Sequence, residues 1–175
     1  YCPTGGVINP YEFAFSLIEN AVDNGVELRV DSPVGAISRA DGHLVLGTPL
    51  GVVRSRFVVN CAGVYADKVA ALVGAADFRI LPRKGEEYMM DKRLKGLVRR
   101  LVFPLPTATT KGTLIIPTVD GTIMVGPTAD DVPDREDVAT TAEAAERVFA
   151  YIRTLCPSME ARDAITAFAG LRAVS

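Results

Sequence analysis

The chain has 175 residues, with nineteen Lys and Arg against twenty-one Asp and Glu and a net charge of −2. That balance disfavours both a nucleic-acid footprint and a polybasic membrane patch. Hydrophobic residues at 49% and charged residues at 23% are the proportions of an ordinary folded chain rather than a disordered one, and the length suits one domain or one and a fraction.

The first expected element is a helix. Asn9 is placed to cap it, Pro10 suits its first position, and Glu12 sits in the capping-box position. Phe13, Ala14, Leu17, Ile18, Ala21 and Val22 form one apolar stripe, and Asn24-Gly25 supplies the stop. Val26–Val30 reads as a strand. Val34–Arg39 and His43–Leu46 read as a hairpin about Asp41-Gly42. Arg56–Asn60 reads as a strand that turns through Cys61-Ala62-Gly63 into a helix over about 65–73. Beyond Gly74, short strands are expected at Phe78–Leu81, Glu87–Met90, Leu101–Phe103, Thr113–Pro117 and Thr122–Val125, with a second hairpin at Asp120-Gly121. Thr140 and Glu143 predict a capping box for a long helix that Pro157 ends, with Ala144, Ala145, Val148, Phe149, Ile152 and Leu155 on its buried side. Ala164–Phe168 reads as a final strand. The fold class is therefore α/β (α+β): an α/β portion over 5–74, then an antiparallel or mixed sheet with one long helix over 75–175.

Cys2, Cys61 and Cys156 are odd in number and far apart, with no C-x-x-C. This fits reduced intracellular thiols and a cytoplasmic location, and no metal site is expected. No apolar run approaches the roughly 20 residues that span a bilayer. The opening at Tyr1 and the stop at Ser175 read as the ends of a segment cut from a longer protein.

Few residues point to chemistry of their own. His43, the one histidine, sits at a hairpin turn with no nucleophile beside it. The acidic run Asp130, Asp131, Asp134, Glu136, Asp137 lacks the Gly and the ligand alternation of a calcium loop and reads as a solvated connection. Arg83-Lys84-Gly85 follows an apolar strand, where two cations beside a bend could face a small anion. Arg172 follows the apolar run Ile165–Ala169, so its guanidinium needs an anion or carbonyl partner. Neither G-x-G-x-x-G nor a P-loop is present.

Three segments in order carry more. They are G-G-V-I-N-P-Y-E-F (Gly5–Phe13); F-V-V-N-C-A-G-V-Y-A-D-K-V-A-A-L-V-G (Phe57–Gly74); and the set from L-P-R-K-G-E-E-Y-M-M-D-K (Leu81–Lys92) through I-I-P-T-V-D-G-T-I-M-V-G-P-T-A (Ile115–Ala129) to F-A-G-L-R-A (Phe168–Ala173). Together they resemble the D-amino-acid-oxidase-like superfamily of FAD-dependent oxidoreductases, nearest to its anaerobic glycerol-3-phosphate and L-2-hydroxyglutarate dehydrogenase branch. The resemblance covers essentially the whole chain.

It implies a middle segment of an FAD-binding domain (5–74) joined to most of a substrate domain (75–175). The family's pyrophosphate-binding βαβ unit and closing C-terminal segment would lie outside. Val34 matches the position that meets the adenine end of FAD, and Cys61, Ala62 and Gly63 match a turn close to the cofactor. Arg172 matches the arginine for the substrate's anionic group, and Lys84-Gly85 the bend over the flavin, with Arg83 beside it. Where aerobic glycerol-phosphate enzymes carry a histidine, this chain has Glu86-Glu87. The catalytic base therefore stays unassigned, with Glu87 the candidate. The implied parent activity is oxidation of a small anionic secondary alcohol, first of all glycerol 3-phosphate to dihydroxyacetone phosphate. Alternatives are L-2-hydroxyglutarate, an amino-acid or amine substrate, or a non-catalytic assembly module. The implied partners are the remainder of the FAD domain and an electron-transfer subunit, which would place the protein peripherally at a membrane. The segment alone is expected neither to hold FAD nor to turn over.

Overall fold

The computed structural model describes residues 3–75, 77–105 and 112–175; Cys2 lies outside them. Helix α1 spans Pro10–Asp23, with the Asn9 side chain accepting from the backbone N–H of Tyr11 and Glu12, as the capping pattern predicts. None of its residues is buried. Strands β1 (Ala36–Ala40), β2 (His43–Thr48) and β3 (Gly51–Ser55) form an antiparallel meander. Asp41 and Gly42 both take positive φ, 49° and 73°, the geometry that lets a two-residue turn follow the strands' twist.

Two expected strands do not form. Residues 26–30 and 56–60 are extended without a ladder, and Val30, Phe57 and Val59 stand 67%, 81% and 83% exposed. A strand needs a neighbour for its backbone donors and acceptors, and neither segment has one among the described residues. The real third strand, Gly51–Ser55, precedes the one expected at Arg56. The helix expected over 65–73 is a 3-10 turn at Gly63–Tyr65 followed by α2 (Ala66–Ala71).

A five-stranded antiparallel sheet dominates the rest. Its spine is β4 (Leu81–Met90), flanked on one side by β6 (Ile123–Gly126) and the short β7 (Asp130–Asp131), and on the other by β8 (Ala164–Val174); β5 (Leu114–Pro117) pairs beyond β6. The strand expected at Leu101–Phe103 reduces to one bridge, Val102 to Ile115. The bend expected at Arg83–Gly85 is instead part of continuous β4, which takes in the expected Glu87–Met90 strand, and no strand begins at Phe78. Lys84, Glu86, Tyr88 and Met90 are buried while the residues between them are not, the period-two alternation of a sheet with one covered face.

Helix α3 (Ala142–Leu155) supplies that cover. Its cap is Thr141, not Thr140, with the Thr141 hydroxyl accepting from Ala144 N–H at 3.1 Å. Ala144, Val148, Phe149 and Ile152 turn inward as the periodicity predicts. Val148, Phe149 and Ile152 meet Tyr88, Met90, Ile115, Ile123, Val125 and Met159 in a single core, where the Tyr88 and Phe149 rings pack edge to face at 5.4 Å. The final strand runs to Val174, beyond the expected Phe168. Its segment Ile165–Ala169 is not buried: Ile165 is 58% and Phe168 43% exposed, because β8 pairs with β4 alone.

Candidate functional site

The open face of β4 and β8 follows from their register. Arg83 lies opposite Arg172, Gly85 opposite Gly170, and Glu87 opposite Phe168; by the pleat, all six share the face away from α3. A cation and a carboxylate therefore stand at the two ends of a floor whose middle is two glycines. Arg172 and Phe168 are four residues apart, or about 13 Å along the strand. A Cβ at Gly170 would meet nothing within 4 Å, whereas one at Gly85 would sit 2.9 Å from the Pro127 ring. Pro127 thus walls one side and the Gly170 side is open.

The charges on this face differ in what they already hold. Arg83 is bound to Asp131 through Nε at 2.6 Å and Nη2 at 3.2 Å, and that bond holds the Asp131 carboxyl below its usual range. Arg172 is exposed and, among the described residues, has no hydrogen-bond or ion-pair partner. Glu87 is the reverse: among the described residues its buried Oε2 has no hydrogen bond, and burial raises its pKa from an ordinary 4.5 to about 7. Gly126, at φ 145°, creates this site. A Cβ there would sit 2.9 Å from Glu87 Oε2 and 2.8 Å from the Glu86 carbonyl oxygen, so only glycine lets β6 close over the carboxyl.

Lys84 points the other way. Its ammonium is buried, donating to Asp137 at 2.9 Å and to the Ala139 carbonyl at 3.0 Å. It anchors the approach to α3 from the covered face. Glu86, also buried, accepts from Thr141 N–H at 2.9 Å, from the Thr141 hydroxyl at 3.3 Å and from the Tyr88 hydroxyl at 3.0 Å. Burial and that last bond push the Tyr88 hydroxyl pKa upward. The acidic run is, as expected, a largely solvated connection between strand and helix, and part of it is ion-paired as well: Asp131, Asp137 and Asp130 meet Arg83, Lys84 and Arg147.

The Cys61-Ala62-Gly63 turn lies beside this sheet, because the 3-10 turn at Gly63–Tyr65 packs on β8. The Asn60 side chain sets it, accepting from Ala62 N–H at 3.2 Å and donating to the Ala66 carbonyl at 2.8 Å. Cys61 is an exposed free thiol. Val34 is half-buried in the segment just before β1, ahead of the smaller sheet. His43 is exposed, with Nδ1 2.8 Å from the Asp41 carbonyl. Sequence reasoning missed Asn60, Asp67 and Arg135. Asp67 and Arg135 make a buried bidentate pair at 2.6 and 2.8 Å, and that bond draws the Asp67 carboxyl far below its usual range. The only available signal was one arginine inside an acidic run.

The Cys61-Ala62-Gly63 turn thus lies beside a sheet whose open face carries an arginine and a carboxyl. Comparison with known proteins gives the family. The family profile described as FAD dependent oxidoreductase matches residues 1–175, and the chain belongs to that family. Glycerol 3-phosphate dehydrogenase of Caloramator mitchellensis is 39% identical over 173 residues, covering 99% of this chain and 36% of that protein. Glycerol 3-phosphate oxidase of Mycoplasma pneumoniae is 30% identical over 172 residues, covering 95% and 45%. Human mitochondrial L-2-hydroxyglutarate dehydrogenase is 28% identical over 143 residues, covering 73% and 31%. The dithionite-reduced L-alpha-glycerophosphate oxidase of Mycoplasma pneumoniae, with FAD bound, superposes with a TM-score of 0.82 over 90% of this chain and 42% of that one, at 29% identity. L-proline dehydrogenase from P. horikoshii, at 20% identity and a TM-score of 0.85, shares the fold. The chain spans less than half the length of each of these proteins.

The residues present fit part of FAD. Gly63 carries no side chain and a Cβ there would meet nothing within 4 Å, so the turn leaves room for a planar group beside it. The described residues hold no glycine-rich phosphate turn, so the pyrophosphate finds no cradle here.

Proposed function

We propose that this chain is the substrate-presenting part of a flavoenzyme that oxidises a small anionic secondary alcohol, glycerol 3-phosphate first among the candidates. The observation that carries this reading is the shared face of Arg172 and Glu87 across the Gly85–Gly170 floor. Arg172 clamps the phosphate or carboxylate through its planar fork. The substrate then lies over the glycines with its hydroxyl toward Glu87. The Glu87 carboxylate takes the hydroxyl proton as the carbonyl forms. Phe168 and Pro127 flank the floor and limit water. Cys61, Ala62 and Gly63 face the cofactor from the neighbouring turn, and Val34 is assigned to its adenine end. The chemistry FAD supplies when bound is acceptance of the hydride from the carbinol carbon. Lys84 and Arg83 hold Asp137 and Asp131, and so shape the sheet edge rather than grip substrate.

The glycerol-phosphate enzymes named above support the choice of substrate by the share of this chain they cover. L-2-hydroxyglutarate would place a carboxylate on the same arginine. The test is a panel of glycerol 3-phosphate, L-2-hydroxyglutarate, glycine and sarcosine on the full-length flavoprotein, with Arg172→Ala beside wild type. Arg172→Ala is expected to raise the KM of the preferred substrate about 100-fold. An unchanged KM removes Arg172 from the site.

A further inference from the structure

The cofactor-facing turn and the substrate face belong to different parts of the chain, yet their spacing decides whether substrate and cofactor meet. We propose that Arg135 is a positioning residue that ties the Cys61–Tyr65 turn to the entry of strand β4, fixing the distance between cofactor and bound substrate. The proposal rests on the reading of that turn as a cofactor contact.

The hydrogen bonds of Arg135 leave little freedom. Nη1 donates to the Val64 carbonyl and to Asp67 Oδ1; Nη2 donates to Asp67 Oδ2 at 2.8 Å and to the Ile80 carbonyl at 3.2 Å. Asp67 is itself buried and accepts from Lys68 N–H at 2.8 Å and Ile80 N–H at 3.1 Å. The guanidinium carbon lies 5.7 Å from the centre of the Tyr65 ring, and the Tyr65 hydroxyl is bonded to the neighbouring Glu136. One side chain thus ties the turn itself at Val64, the start of α2, the entry to β4 and the loop leading to α3.

Every terminal N–H of the guanidinium is used, and two of the four bonds go to backbone carbonyls. A surface ion pair has no need of these. They are what fixes one piece of main chain relative to another. A lysine keeps the charge but cannot form the fork, which separates position from charge.

The experiment uses the full-length flavoprotein with Arg135→Lys and Tyr65→Phe, and Ile152→Val as a core variant remote from the turn. FAD dissociation constants of the apoproteins, kcat, KM and Tm are measured for each. Arg135→Lys is expected to raise the FAD dissociation constant and lower kcat, each by about tenfold or more, with substrate KM within about twofold of wild type. Tyr65→Phe shifts both in the same direction by about threefold. Ile152→Val lowers Tm and moves neither. Arg135→Lys with a lowered Tm but unchanged FAD affinity and kcat overturns the proposal and leaves the pair a stabilising device. If Arg135→Lys does not fold, Tyr65→Phe decides by the same two measurements, and unchanged values overturn the proposal. Failure of the Arg172 assignment would show separately, as an unaltered KM in Arg172→Ala.

Discussion

A carboxyl with a buried, unbonded oxygen is costly when ionised, and Glu87 is in that state because β6 folds over it at Gly126. Its pKa of about 7 suits a proton acceptor that must be ionised to act near neutral pH. In the full-length enzyme, kcat/KM should therefore rise through about pH 7 and level off above it. Glu87→Gln should lower the plateau about 100-fold or more and abolish the rise. The same shift acts on stability with the opposite sign. Between pH 4.5 and 7 the folded chain keeps a proton that the unfolded chain has released, so stability falls as pH rises across that window. Glu87→Gln should then gain about 1–2 kcal/mol at pH 8 and nothing at pH 4, after discounting for the partial exposure of the residue. Urea melts at the two pH values check this; equal stability at both would remove the orphaned carboxyl from the account. The sequence points to Glu87 only through the family pattern. Its burial depends on a glycine 39 positions later in the chain, which no local pattern records.

At the scale of elements, the same strand carries two kinds of charge on two faces. Arg83 and Glu87 face the site, while Lys84 and Glu86 face α3, each with its hydrogen bonds met. Glu86 joins sheet to helix: its carboxylate accepts from the α3 cap residue and from the Tyr88 hydroxyl in the core. Glu86→Ala leaves the buried Tyr88 hydroxyl without its acceptor and removes the Thr141 partner, and should cost about 1–3 kcal/mol, against about 1 kcal/mol for Thr141→Ala. Because the two share a bond, the double variant should cost less than the sum. The denaturant midpoint at unchanged slope measures each; strict additivity would mean that Glu86 does not support the helix. This also marks where sequence reading succeeds. The α1 cap at Asn9, the Asp41-Gly42 turn and the buried face of α3 are local patterns, and all three are present. The run R-K-G-E-E resembles a loop because four charges in five residues are rarely buried. It is a strand because Asp137 and Thr141, more than fifty residues away, satisfy two of them.

Across the whole molecule, apolar burial is uneven. The described core lies between the larger sheet and α3, while α1 buries none of its residues, and Tyr11, Phe13, Phe15 and Leu17 are all more than half exposed. The extended segments 26–30 and 56–60 likewise present Val26, Leu28, Val30, Phe57 and Val59 without a ladder. Apolar surface on this scale is a docking face, and the relatives are more than twice as long as the part this chain matches. We infer that the face meets the remainder of a flavin-binding domain, and that the 175 residues alone do not hold FAD. The described residues offer the pyrophosphate neither a glycine-rich turn nor a helix N-terminus that follows one. The isolated chain, mixed with excess FAD and passed through a desalting column, should emerge colourless and bind a hydrophobic dye. Adding the flanking parts of its parent in trans should suppress the dye signal and restore a flavin band. A one-to-one yellow complex from the isolated chain would show that Cys61, Ala62, Gly63 and Val34 suffice without the phosphate cradle, and the exposed helix face would then need another occupant.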